Sequence, residues 1–143
     1  MAISIIDWNN KLHHAVSDDK VGIRIATLLE SQDRGTYITV IPPGAFVKPH
    51  YHSKGDEEYH IISGVGIIKL LPVNSLHKDS QTICKHVKAQ NSFLIPSNVI
   101  HQLINNGSEP LVLIFSCPIS HLKEDRFIVE NIEEKLNGDA PTL

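Results

Sequence analysis

Nine of the 143 residues are histidines, and two of the histidine segments have the residue types and spacing of a metal site. The segment GAFVKPHYHSKGDEEYHIISG, residues 44–64, places His50 and His52 two apart, with Glu57 beyond the turn SKGD. In an extended chain residues i and i+2 project to the same face, so both imidazoles can reach one ion. Glu57 opens the next extended run on the face it shares with Tyr59 and Ile61, while Glu58, His60 and Ile62 point the other way. Much later, FLIPSNVIHQLIN brings His101 to the start of another run, directly after a turn containing Pro96. Three imidazoles and a carboxylate suit one divalent transition metal ion, iron, manganese, nickel or zinc, and leave coordination positions open for water or substrate. Such an ion polarises a bound oxygen, stabilises developing enolate-like charge or, if redox active, binds dioxygen. Tyr59 is the candidate catalytic residue, because a phenol on the Glu57 face can donate or accept a proton near the ion. Its plainer role is an aromatic wall. Lys48, Arg24, Tyr37 and Gln102 are candidates for binding an anionic or hydroxylated substrate, each with an equally ordinary reading as a surface or packing residue.

These residues must be held by strands. From Val21 onward the chain reads as short β-branched runs: VGIRIATLLE, TYITVI, EEYHII, GVGIIKLL, QTICKHVK, SFLI, HQLIN and PLVLIFSC. Between them stand QDRG, PPG, HSKGD, ISG, LPVNSLHKDS, IPSN and NNGSEP, rich in the residues that stop strands and form turns. Eight short strands predict an all-β closed barrel or jelly roll, which removes exposed sheet edges and encloses side chains or one small ligand. PLVLIFSC is apolar on both faces, which predicts the barrel interior on one side and a second layer or subunit on the other. A bend between the two sheets is expected near LPVNSLHKDS. In RFIVENIEEKL, Phe127, Ile128, Ile132 and Leu136 have roughly helical spacing, so a short amphipathic helix is expected there, and residues 1–18 are expected to pack outside the barrel in the same way. The length is that of one ordinary domain, so residues 1–143 read as a single domain with a barrel core at about 20–120 and terminal segments 1–18 and 121–143 packed outside.

The two histidine segments resemble the paired motifs of the cupin superfamily. Its first motif is Gly, five residues, His-x-His, four residues, Glu, six residues, Gly, and Gly44, His50, His52, Glu57 and Gly64 occupy all five places. Its second motif is Gly, five residues, Pro-x-Gly, two residues, His, three residues, Asn, and here Pro96, His101 and Asn105 match. Gln90 and Asn98 stand where that motif has glycine. Asparagine tolerates a left-handed turn, so the second departure is mild. The resemblance covers roughly residues 36–117 and implies a double-stranded β-helix, the jelly-roll cupin barrel, with the metal inside it on His50, His52, Glu57 and His101. It also implies the strand order, which spacing does not give.

Composition narrows the partners. A net charge of -3 with scattered basic residues argues against nucleic acid, whose binding needs clustered Lys and Arg. No apolar run approaches the length a membrane helix needs. The start MAISIIDWNNKLHH lacks a basic region followed by a long apolar stretch, so a cytoplasmic protein is expected. Cys84 and Cys117 have no C-x-x-C spacing and read as inert core thiols. The remaining histidines, at 13, 14, 60, 77, 86 and 121, read as solvated termini, loops or outward positions. Small molecules are the expected partners, and a homodimer is expected from the two-sided strand and the resemblance. Three functions fit: an enzyme acting on a small oxygen-rich metabolite, either an iron-dependent dioxygenase or a Lewis-acid isomerase, epimerase or lyase; a non-catalytic module that binds or senses a sugar or small acid; and, weakest because all four ligands are present, a storage role.

Overall fold

The computed structural model describes residues 2–75, 82–130 and 132. Their strands form two antiparallel sheets. In chain order they are β1 (Val16–Asp18), β2 (Ile23–Ser31), β3 (Arg34–Ile41), β4 (His50–Tyr51), β5 (Glu57–Ser63), β6 (Val65–Pro72), β7 (Ile83–Lys88), β8 (Ser92–Ile95), β9 (Val99–Ile104), β10 (Leu111–Pro118) and β11 (Phe127–Ile128). One sheet has the order β1-β2-β3-β10-β5-β8 and the other β11-β4-β9-β6-β7. This is the expected all-β double-stranded β-helix. The core between the sheets is built from the inward-facing residues of alternating strands, among them Ile41, Tyr59, Ile68, Leu103, Leu113 and Phe115.

The apolar second face of β10 is covered by the chain itself. Leu111, Leu113, Phe115 and Cys117 join the barrel core, whereas Ile114 packs outside with Ala26, Leu28 and Ile38. Over that outer cluster lie Ile6, Leu12 and Ala15, which flank or belong to the short helix α1 (Trp8–His13). Asp7 caps α1 by accepting a hydrogen bond from the Asn10 N–H at 3.0 Å. The second layer over this strand is therefore the N-terminal segment of the same chain rather than a second subunit.

Two further expectations change. Phe127 and Ile128 are not helical: they form β11 against Tyr51 and His50, because β4 has a free edge whose backbone groups need partners. Val129 and Ile132 then pack with Leu71 and Ile100 on the outside of the second sheet, while Leu136 lies outside the described residues. The segment LPVNSLHKDS does not bend from one sheet to the other, since the strands it joins, β6 and β7, are neighbours in one sheet; residues 76–81 are outside the described residues. Three short strands, β1, β4 and β11, escaped the sequence reading because two or three residues are too few to display alternation.

Turn conformations explain the two departures from the second motif. Gln90 and Asn98 hold the left-handed backbone that a glycine would, with φ of 74° and 60°. Asn105 closes the barrel end: its Nδ2 donates to the Ile41 and Glu109 carbonyls, both at 2.8 Å, and its Oδ1 accepts from the Gly107 N–H at 2.9 Å.

Candidate metal centre

The four expected ligands come from both sheets. His50 on β4 is paired directly across from His101 on β9, His52 leaves the end of β4, and Glu57 opens β5 in the opposite sheet. The turn that carries the chain from His52 to Glu57 needs Gly55, which has φ +80° and whose missing Cβ would lie 2.7 Å from Pro118 Cγ. One ligand atom from each of His50, His52, Glu57 and His101 lies within 4.8 Å of the others, and all four residues are buried.

Main-chain carbonyls orient the rings. His50 Nδ1 meets the Lys48 carbonyl at 2.7 Å, His52 Nδ1 the Asp125 carbonyl at 2.7 Å, and His101 Nδ1 the Val99 carbonyl at 3.0 Å. A carbonyl only accepts, so each Nδ1 carries the proton and each Nε2 presents a lone pair. Burial, and then repulsion from His101, keeps the His50 pKa well below its ordinary 6.5; burial brings His52 down to about 4 despite Glu57 nearby. The His50 and His52 rings are thus neutral donors at neutral pH. The Nε2 atoms of His52 and His101 lie 3.4 Å from Glu57 oxygens, yet make no hydrogen bond of acceptable geometry. Two buried lone pairs without donors are costly unless something electropositive sits between them. This donor set fits a divalent metal ion.

A fifth residue belongs to the cluster, and the sequence reading misplaced it. His121 is 1% exposed, not solvated. Its ring stacks on His52 with centroids 3.9 Å apart. Its Nδ1 lies 3.1 Å from Glu57 Oε2 and its Nε2 2.6 Å from the Lys54 carbonyl oxygen. Both partners are acceptors, so both nitrogens donate and the ring is an imidazolium. Burial opposes that charge, but Glu57 and the Lys54 carbonyl outweigh it and raise the pKa. Burial also works against the Glu57 carboxylate, and contacts with His101 and His121 overcome it, holding the pKa well below 4.5. No local pattern in SCPISHLKED marks His121. It arrives through register, since β10 runs antiparallel to β5 with Ser116 opposite Glu58.

Asp125 was also unforeseen. Besides offering its carbonyl to His52, it accepts from the Ser53 N–H and hydroxyl at 2.7 Å each and from the Lys54 N–H at 2.9 Å. Burial opposes its ionisation, but these donors together outweigh it and hold its pKa below the usual range. The loop between two ligands is thereby tied to the segment that orients one of them.

A cavity of about 30 Å³ adjoins the cluster, walled by Val21, Ile23, Val47, Leu113 and Phe115 together with Thr39 and Tyr59. Tyr59 is 5% exposed and its ring lies 6.2 Å from that of His101. Burial, then the Glu57 carboxylate, raises the phenol pKa well above 10, so this hydroxyl keeps its proton. The other candidates fall elsewhere. Lys48 and Gln102 line a depression on the outside of the second sheet. Exposed Arg24 donates to the Ala15 carbonyl at 2.8 Å. Tyr37 is buried against Phe115, with its hydroxyl 3.4 Å from Glu30. Of the remaining histidines, 13, 14 and 86 are exposed, His60 contacts Ser92 and Glu58 on the outer face, and His77 lies outside the described residues. Cys117 is a buried thiol, but Cys84 is exposed rather than in the core.

Comparison with known proteins agrees with this architecture. Residues 27–132 match the cupin family model. Germin-like protein 5-1 of Oryza sativa subsp. japonica is 32% identical over 79 residues, which are 53% of this chain and 32% of that protein, so the chain spans about a third of the length of this relative. Among solved structures, the capsular polysaccharide assembling protein CapF of Staphylococcus aureus superposes with a TM-score of 0.69 at 22% identity over 82% of this chain and 34% of its own. An uncharacterized conserved protein with a double-stranded beta-helix domain from Klebsiella pneumoniae gives a TM-score of 0.66 at 18% identity, over 91% of this chain and all of its own. At these identities the superpositions speak for the fold. With the family match extending over most of the barrel strands, the chain belongs to the cupin family.

Proposed function

We propose that this cupin is a metal-dependent enzyme acting on a small, oxygen-rich metabolite, with one iron, manganese, nickel or zinc ion on Nε2 of His50, His52 and His101 and the carboxylate of Glu57. The observation that carries this reading is the set of three imidazoles whose Nδ1 atoms are engaged by main-chain carbonyls while two buried Nε2 atoms have no hydrogen-bond partner. A bound ion would supply Lewis acidity, for an isomerase, epimerase or lyase, or dioxygen chemistry, for a dioxygenase. The chain's residues do the rest. His121 and Asp125 hold Glu57, His52 and the loop between them in place. The apolar wall excludes water and strengthens every electrostatic interaction within it. Tyr59, protonated, serves as a hydrogen-bond or proton donor rather than a base.

Elemental analysis of protein purified without a metal-affinity tag tests the metal. Oxygen uptake by an anaerobically iron-reconstituted sample, against a panel of small metabolites, tests the chemistry. Iron with substrate-dependent oxygen consumption supports a dioxygenase; zinc, nickel or manganese without uptake supports Lewis-acid chemistry. Turnover lost in Tyr59→Phe with metal retained is the result expected of a proton-donating phenol, and unchanged turnover refutes that role. Ligand binding without turnover by any metal form replaces the enzyme with the binding module. The reading includes one cupin domain over residues 1–143 and a cytoplasmic homodimer, supported by two unpaired thiols and by the exposed apolar side chains Phe46, Ile83 and Ile128. Among the described residues no helix is long and apolar enough to cross a membrane.

A further inference from the structure

Between the cavity beside the metal ligands and the molecular surface stands one ion pair. Arg126 Nη1 lies 2.7 Å from Asp18 Oδ2 and its Nη2 3.1 Å from Asp18 Oδ1, a two-pronged pair joining the end of β1 to the segment before β11. The arginine side chain is only 7% exposed. Arg126, Ile25 and Leu122 line both the inner cavity of about 30 Å³ and an outer cleft of about 800 Å³. Asp18 lines the outer cleft, where Lys11, Lys20 and Lys123 outnumber Glu124 beside it. Arg126 is the single Lys or Arg among the described residues of the inner cavity.

We infer that Arg126 is the carboxylate-binding residue of this site, latched by Asp18 until a small carboxylic acid takes its place. This rests on the proposed function, whose substrate class it names. Three observations converge on it. At about 30 Å³ the inner cavity is about a tenth of the smallest ordinary ligand pocket, so a metabolite is seated there only if its wall moves. The pair at the seam is bidentate, the geometry in which a guanidinium holds a planar carboxylate, so an incoming carboxylate replaces Asp18 bond for bond. The cleft outside is locally basic on a protein of net charge -3, which draws an anion to this mouth rather than to the rest of the surface. A neutral sugar gains nothing from such an exchange, because it would leave the buried guanidinium unpaired.

The test is titration of the zinc-loaded protein with pyruvate, with pyruvamide as the uncharged counterpart and inorganic phosphate as a tetrahedral anion, followed by the Arg126 Nε–H resonance and by calorimetry. Asp18→Asn removes the competitor but keeps its shape, and pyruvate should bind about tenfold more tightly than to wild type. Arg126→Met should weaken it by about tenfold or more, with Arg126→Lys, which keeps charge but loses the fork, in between. Pyruvamide should not discriminate among the variants. Equal pyruvate affinity in wild type, Asp18→Asn and Arg126→Met, or an Arg126 resonance that pyruvate does not move in Asp18→Asn, overturns the inference. Phosphate binding more tightly than pyruvate with the same Arg126 dependence overturns the carboxylate assignment. Metal content of each sample separates the two readings: full metal with no Arg126 dependence defeats the latch alone, and Arg126 dependence in protein that takes up no metal defeats the metal centre alone.

Discussion

Replacing His101 by alanine removes one of four convergent donors and leaves the chain segment His50–Glu57, which carries the other three, unaltered in sequence, because His101 alone sits on β9. A ligand that binds only the folded protein stabilises it by RT ln(1 + [L]/Kd), about 2.7 kcal/mol at a free metal concentration of one hundred Kd. For a chain of this size 1 kcal/mol moves Tm by about 4 °C, so metal should raise the wild-type Tm by about 10 °C over the chelator-treated protein. Losing a donor should weaken metal binding by about a hundredfold or more, which leaves free metal near Kd and a gain of only about 0.4 kcal/mol. The variant's metal-dependent shift should therefore fall below about 2 °C. Scanning calorimetry of each protein with chelator and with metal makes the comparison internal, so the packing cost of the smaller side chain cancels. A His101→Ala protein that keeps the wild-type shift and full metal content would refute the site.

Acidification should destabilise the metal-free protein. Unfolded, His52 takes up a proton near 6.5, and folded it refuses one until about 4, so between those values protons favour the unfolded chain, by about 3 kcal/mol in total. Glu57, whose pKa is lowered, adds a loss below 4.5, whereas His121, whose pKa is raised, contributes stability that is present below 6.5 and lost as pH rises through its folded pKa. Urea unfolding of chelator-treated protein from pH 7 to 4 checks the direction; constant stability through that window would contradict the buried neutral His52. Asp125→Ala removes three hydrogen bonds to a carboxylate and should cost about 2 kcal/mol in urea unfolding and about tenfold in metal affinity. Gln90→Gly should stabilise by about 0.5–1 kcal/mol, since φ of 74° burdens glutamine more than the freedom of glycine burdens the unfolded chain. A destabilised Gln90→Gly protein, read by thermal melting, would contradict that balance.

How much of the centre was legible follows from sequence separation. His50 and His52 lie two apart on extended chain, Glu57 begins the next alternating run, and His101 follows a turn marked by Pro96, so all four could be singled out from local periodicity and turn chemistry. The all-β architecture was legible for the same reason, because alternation and strand stops are local signals. The shortest strands were not, since β4 and β11 exist through the backbone groups of their partners. Neither was the layer over β10: two apolar faces require a cover but do not name it, and only the packing of α1 shows the chain supplying its own. His121 meets Glu57 across 64 residues, the Asp125 carbonyl meets His52 across 73, and Arg126 meets Asp18 across 108. Local sequence alone determined which side chains can hold an ion and that strands present them. Strand register and the closing of the barrel decided which groups orient those ligands and which pair guards the cavity, because hydrogen bonds act over about 3 Å and only the folded chain brings such distant residues that close.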